Sequence, residues 1–399
     1  MRKLKSGFFV IIFLMMTNMA FGQPIIFEVS GIIRHGEAIK IAGANFGNKS
    51  PAHPLLWDDG TSNPPLSTYY DVWLPTNAQQ GSSYNMAYRA TPFRGVNAPH
   101  NRTNYILGGA HAVASGGTYT NGINVGIGKN LTSYNYFISY YYRIDPLFDE
   151  KNSALDDNMK EIVLSNTKGD FYPSYGFGYV DWCNAYVPDV NQKGDVRLSA
   201  VDSAHCGYWK CTENGNELDH NNPINDWVKM QWIGDIDTVS GKPKINFTTY
   251  PDGRNTSTSY YGNWITTYEY ATGEYCGRPD TNNLAFIGLG GFARDPRMNN
   301  GVNSFRYFAC IYMDITHSRV MLGDNPDYNF CTKMEPQIPS IWTDNSITVS
   351  VNLGNFHEEG TAYLFVFDAD NNHNWAGYPL TLGTAFGSPD PPKNLRIFP

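Results

Sequence analysis

No run of a dozen residues in this chain places apolar side chains at i, i+3, i+4 and i+7, so the sequence offers no amphipathic helix. Short strand-type runs recur instead. They are Ile32–Ile41 (IIRHGEAIKI), Tyr134–Ile144 (YNYFISYYYRI), Met159–Leu164 (MKEIVL), Trp227–Ile233 (WVKMQWI), Phe305–Asp314 (FRYFACIYMD), Ile347–Val351 (ITVSV) and Ala362–Phe367 (AYLFVF). Turn-forming clusters punctuate the chain, among them Asn45-Phe46-Gly47-Asn48, Gly116-Gly117, Pro251-Asp252-Gly253 and Asp370-Asn371-Asn372. Aromatic residues make up 15% of the chain, with 27 Tyr, and these are side chains a pleated surface accommodates well. Many short strands between such turns predict an all-β protein of sandwich or jelly-roll type.

The first 22 residues have the three parts of an export signal. Arg2, Lys3 and Lys5 form a basic start, Phe8–Met16 an apolar run, and Ala20-Phe21-Gly22 a small-residue cleavage site. The apolar run is too short to cross about 30 Å of hydrocarbon, so a membrane anchor is not expected, and no later stretch predicts a membrane span. The expected location is secreted or at the cell surface. The rest of the 399-residue chain is too long for one small core, which predicts two domains. Net charge is −8 and no basic cluster exists, which argues against a nucleic-acid partner. An even count of cysteines in an exported chain predicts disulfides among Cys183, Cys206, Cys211, Cys276, Cys310 and Cys331, with the connectivity open.

The two ends of the chain carry the sharpest family resemblance. Pro24–Gly47 (PIIFEVSGIIRHGEAIKIAGANFG) resembles the first half of an immunoglobulin-like module of the IPT/TIG family. That family follows a proline-led strand with a turn and a strand ending in the pattern that Gly43, Asn45, Phe46 and Gly47 match. Glycine permits positive φ in such a turn and a buried Phe anchors it. The second half resembles the stretch from Ile338 to Leu382, through Ile341–Val349 (IWTDNSITV), Gly360–Asp368 (GTAYLFVFD) and Gly377–Thr381 (GYPLT). The resemblance implies one immunoglobulin-like sandwich split by a large insert, an arrangement exposed loops tolerate. The insert resembles a concanavalin A-like jelly roll at Tyr136–Asp145, at Trp227–Trp232 with Gly241–Tyr250, and at Tyr307–Asp314. In the last stretch Ala309 and Cys310 stand where two Asp are usual, which weakens any metal or catalytic role. The expected layout is a signal peptide at 1–22, a first half-module at 23–59, a jelly-roll insert at 60–332, a second half-module at 333–384 and a Pro-rich tail or linker at 385–399.

Catalytic constellations are sparse. Paired acids on alternate strand positions, as retaining glycoside hydrolysis needs, reduce to Asp235 and Asp237 at a strand end. GxSxG, HExxH and the strand patterns of polysaccharide lyases are missing. Jelly-roll relatives often hold a structural calcium ion, for which Asp71 and Asp314 (with Asp58) are the positional candidates, and no cofactor is required otherwise. Aromatic rings beside polar groups remain. A pyranose stacks its apolar face on a flat ring while neighbouring Asn, Asp and Arg bond its hydroxyls. Trp182, Trp209, Tyr142, Arg143, Lys160 and Asp181 are the candidate ligand-binding residues, although core packing is the usual fate of any single Trp. The expected function is binding of a polysaccharide or other glycan. Two alternatives stay open: a polysaccharide lyase or glycoside hydrolase, and a structural or adhesive surface protein.

Overall fold

The computed structural model of the chain describes residues 22–74, 86–100, 103–111, 123–145, 158–165, 168–169, 178–183, 195–199, 227–236, 243–251, 266–269, 284–294 and 304–386. The signal segment, Trp209, Cys206, Cys211, Cys276 and most of the Pro-rich tail lie outside them.

The N-terminal part forms a hairpin, β1 (Ile25–Ile32) and β2 (Ala38–Ala44). The run Ile32–Ile41, expected as one strand, spans the end of β1, the turn of this hairpin and the start of β2. Gly36 adopts a φ of +81°, a conformation open to glycine at little cost, and Gly31 pairs with Ile39 across the turn. The middle of the chain supplies β3 (Leu56–Asp58), β4 (Val72–Leu74), β5 (Ala87–Ala90), β6 (Tyr105–His111), β7 (Ile123–Ser133), β8 (Asn135–Asp145) and β9 (Asn158–Ser165). It continues with β10 (Gly178–Cys183), β11 (Asp195–Ser199), β12 (Val228–Ile236), β13 (Pro243–Pro251), β14 (Thr266–Glu269), β15 (Leu284–Arg294) and β16 (Ser304–Asp314). The last part holds β17 (Arg319–Gly323), β18 (Met334–Thr343), β19 (Ser346–Ser350), β20 (Thr361–Phe367), β21 (Tyr378–Thr381) and β22 (Ala385–Phe386). Two short 3-10 turns, Leu66–Thr68 and Tyr328–Phe330, are the helical segments among the described residues. The protein is all-β, as its alternating runs predict.

Three sheets result. In the first, which we call the terminal sheet, both ends of the chain meet in the order β21-β20-β17-β18-β19-β2-β1-β22. Strand β18 serves two partners: Met334–Gln337 pair with β17 and Ile338–Thr343 with β19. The halves on either side of it enclose one core, where Val29, Ile41 and Phe46 from the N-terminal end meet Val320, Trp342, Ile347, Leu364 and Leu380. Residues about 300 positions apart are stitched by hydrogen bonds: the Gly43 backbone N–H donates to Asn345 O, the Phe46 N–H to Asp344 O, and the Trp342 indole Nε1 to Phe46 O. Strand β17 lies on the insert side of the boundary expected at 332, yet it pairs with β18 and β20. Its Val320 and Leu322 find their apolar partners in the terminal core.

The other two sheets are formed by the middle of the chain, which we call the insert for its position. One runs β11-β10-β9-β15-β7-β4, the other β14-β13-β12-β8-β16-β6-β5, with β3 added to β16. They pack face to face on a core that includes Ile127, Ile162, Ile287 and Leu289 from the first and Tyr140, Tyr142, Met230, Trp232 and Phe308 from the second. Each such side chain contributes about 1.5–3 kcal/mol on burial. The Gly288–Gly291 patch lies in β15, with Gly290 at φ +80° beside an irregularity in its pairing with β9.

Candidate functional site

Strand alternation decides what each face of the second insert sheet can do. On β8, Tyr136, Ile138, Tyr140 and Tyr142 face the core between the insert sheets, so Phe137, Ser139, Tyr141 and Arg143 face outward. On β12, Val228, Met230 and Trp232 face inward, and Lys229 and Gln231 outward. Strand β16 shifts register between Ala309 and Tyr312, with Cys310 at φ +50°, so Tyr307 and Tyr312 both present outward. The outward groups fall into rows across β12, β8 and β16: Lys229–Tyr141–Ala309, then Gln231–Ser139–Tyr312, then Ile233–Phe137–Asp314.

That face is not open to solvent. The terminal sheet covers it from one side. Glu335 on β18 receives Lys229 Nζ at 2.9 Å, the Tyr141 hydroxyl, and the Asn355 N–H at 3.2 Å. The Lys229 and Glu335 side chains are 2% and 1% exposed, and the ammonium also lies 4.4 Å from the centre of the Tyr141 ring. Gln337 secures the turn that brings Asn355 in, donating to Glu335 O and Asn352 O and accepting from Asn352 N–H. Further along, Phe137 and Tyr312 pack with Met321, Met334, Phe365 and Phe367, and the Arg319 guanidinium sits between the Phe137 and Phe367 rings. Residues 93–100 cover the other side. Trp227 Nε1 donates to Asn97 O, Val96 and Ala98 pack with Tyr307 and Trp227, and the His100 ring meets Tyr141 edge-on. Ser139 Oγ and Gln231 Nε2, neighbours in one row, are buried and have no hydrogen-bond partner among the described residues.

The sequence-predicted ligand residues that the structure describes are divided between the two insert sheets. Tyr142 is a correction: it is 1% exposed in the insert core, and the outward tyrosine is its neighbour Tyr141. The reason is parity, since a one-residue offset on a strand reverses the face. Arg143 is half-buried at the outward end of β8, opposite Tyr307. Lys160 and Asp181 are register partners on β9 and β10, and Trp182 is paired with Met159 and Val196, all in the other insert sheet. Trp209 lies outside the described residues.

The candidate calcium ligands are likewise engaged. Asp71 is exposed, accepts the Asn130 N–H at 2.7 Å and faces Lys129 at 3.3 Å. Asp314 is buried against Lys49 at 2.6 Å and also accepts from Ile315 N–H and the Tyr312 hydroxyl. Burial, partly offset by Lys49, raises its pKa. Asp58 accepts from Tyr70, Tyr88 and the Gly60 N–H, and burial raises its pKa too. Among the described residues no three His, Cys, Asp or Glu side chains gather as a metal site. Cys310 and Cys331 are free thiols, which corrects the expectation that all six cysteines pair. Cys310 is packed against His100 Nε2 at 3.0 Å and Thr103 Oγ1 at 3.4 Å, and Cys331 points at Asn325 O.

Among the described residues the two most exposed aromatic rings lie elsewhere, at residues that the sequence pattern does not single out. Trp375 is 85% exposed and Phe330 68%. Their loops, 324–332 and 370–377, are joined by Gly377 N–H donating to Pro326 O and by the Tyr328 and His373 rings 5.0 Å apart. The Trp375 backbone is held rigidly. The neighbouring Asn374 side chain is buried, accepts from Val366 N–H at 2.8 Å, and donates to Leu364 O and Ala376 O. Asp368 Oδ1 accepts the amides of Asp370 and Asn372 and so shapes the start of the same loop. The signal that could have pointed there is the Asp370–Asn372 turn cluster leading straight into His373-Asn374-Trp375.

No protein-family model matches the chain, and no curated protein matches it. Among solved structures it is similar to the alginate lyase Aly36B at 7% identity and a TM-score of 0.41, covering 66% of this chain and 98% of that one. It is also similar to a glycoside hydrolase family 131 catalytic domain from Coprinopsis cinerea (10% identity, TM-score 0.32, 61% of this chain and 81% of that one). A third is the alginate lyase vAL-1 from Chlorella virus (13% identity, TM-score 0.35, 61% of this chain and 99% of that one). At these scores and identities the likeness carries no argument about ligand or reaction. No helix among the described residues is long and apolar enough to cross a membrane.

Proposed function

We propose that this is an exported carbohydrate-binding protein that meets its ligand through Trp375 and Phe330 on the terminal sheet. One observation carries the reading: a tryptophan 85% exposed on a loop whose backbone is fixed by the buried Asn374. A water-facing indole forgoes burial worth about 2–3 kcal/mol, and a flat ring held rigidly loses little entropy when a pyranose stacks on it. On the outward face of the second insert sheet, Lys229 and Tyr141 are committed to Glu335 of the terminal sheet. In the same reading the terminal sheet is one immunoglobulin-like sandwich of IPT/TIG type, split by the insert. Its support is the pairing of β2 with β19 and the core shared by both ends.

Affinity electrophoresis through a panel of polysaccharides tests the proposal, run beside an assay for new reducing ends and for the ultraviolet absorbance of an unsaturated uronate. Retardation that Trp375→Ala abolishes, without product, supports it. Product formation would establish the lyase or hydrolase alternative. Silence in both assays would favour the structural or adhesive reading, for which the sealed insert face is the specific observation.

A further inference from the structure

We infer that the Trp375–Phe330 site takes an uncharged polysaccharide and rejects a uronate-bearing one. The inference rests on the carbohydrate-binding reading and adds the class of ligand. The two joined segments, 324–333 and 368–377, contain four aspartates (Asp324, Asp327, Asp368 and Asp370) against one lysine, Lys333. Asp327 and Asp370 are exposed, three residues before Phe330 and five before Trp375 in the chain. The one arginine packed beneath, Arg319, is buried: it donates to Asn371 Oδ1 and His317 O and is stacked on Phe367, so its charge is turned away from a ligand. His373, between Tyr328, Phe365 and Phe367, is held below its usual pKa mainly by burial and is neutral at pH 7. A ligand stacked on Trp375 therefore approaches two joined segments that carry four carboxylates and, apart from the neutral His373, the half-buried Lys333 as their one cation. A polyanion bringing one carboxylate per sugar would face repulsion within the screening distance of about 8 Å at physiological salt. The hydroxyls of a neutral sugar meet acceptors instead: carboxylate oxygens take O–H hydrogen bonds while the ring takes the apolar face. The same acidic rim opposes an anionic bilayer surface.

The experiment is native affinity electrophoresis of the whole protein in gels containing matched neutral polymers (a β-glucan, a mannan, a xylan) or acidic ones (alginate, polygalacturonate), at about 0.15 M salt. The expected result is retardation by at least one neutral polymer. It should weaken about tenfold or more in Trp375→Ala and be largely restored in Trp375→Phe. Asp327→Asn with Asp370→Asn should admit the acidic polymers. Thermal unfolding of Trp375→Ala should match the parent, because the ring makes little contact, so lost binding is not lost fold. Retardation by an acidic polymer through Trp375, as strong as by any neutral one, would overturn the charge inference and leave carbohydrate binding standing. No retardation by any polymer, or retardation indifferent to Trp375→Ala, would overturn the underlying reading. A dimer that Trp375→Ala dissociates in sedimentation would overturn both, by making the rings a contact between copies of the chain.

Discussion

Replacing Glu335 by Gln should destabilise the whole protein, because it strips a buried cation of its counter-ion. Lys229 and Glu335 lie 2.9 Å apart with side chains 2% and 1% exposed, so the ammonium has no route back to water. Removing one partner of such a pair costs about 3–5 kcal/mol, most of it the penalty on the abandoned charge. Gln retains acceptor capacity for the Tyr141 hydroxyl and the Asn355 N–H, which places Glu335→Gln at about 3 kcal/mol. Lys229→Met leaves a carboxylate still bonded by those two donors and should cost about the same. The double variant Lys229→Met with Glu335→Gln removes both charges, keeps the acceptor for Tyr141 and Asn355, and should return to within about 1–2 kcal/mol of the parent, giving a coupling of about 4–5 kcal/mol. Urea unfolding followed by both tryptophan fluorescence and far-ultraviolet dichroism reads the effect. The two probes should move together, since the pair spans the terminal sheet and the insert. A Glu335→Gln cost below about 1 kcal/mol, the value for an exposed pair, would refute the claim that this face is sealed. So would an insert transition that the substitution leaves untouched.

Four further outcomes follow from individual residues. Burial holds the folded-state pKa of His373 below 6.5, so the unfolded chain takes the proton first as pH falls. The neutral ring's contribution is present above pH 6.5 and is lost as pH drops through 6.5 toward the folded value, and thermal scans across that window should show a slope that His373→Phe reduces. Burial pushes the thiols of Cys310 and Cys331 up to about 12, so alkylation of the folded protein at neutral pH, mapped by mass spectrometry, should spare both and label them after denaturation. A Cβ at Gly43 would stand 2.0 Å from Ile25 O and 2.3 Å from the Phe46 ring, so Gly43→Ala should cost about 1–3 kcal/mol or more in urea unfolding. Gly47→Ala, in open space at φ +69°, should cost about 1 kcal/mol.

Local rules make much of the architecture legible in the amino-acid order alone. The runs around Tyr134–Ile144, Trp227–Ile233 and Phe305–Asp314 are β8, β12 and β16, because alternation and aromatic content are properties of a few adjacent residues. The Gly43–Gly47 turn is legible for the same reason, although Gly43 serves close backbone approach, whereas Asn45 and Gly47 carry the positive φ. The Ile32–Ile41 run misleads because the apolar pattern continues through a turn that Gly36 alone breaks.

The site depends on facts no neighbouring residue carries. Alternation says that Tyr141 and Tyr142 face opposite ways, but which of them meets the core is settled by the sheet packed beneath. Whether the outward one is then exposed is settled by Glu335, 194 residues further along the chain. Trp375 is exposed on a loop where Asn374 beside it spends its side chain tying Leu364, Val366 and Ala376 together. Strand type is encoded within a few residues, whereas burial depends on what long-range packing lays on top.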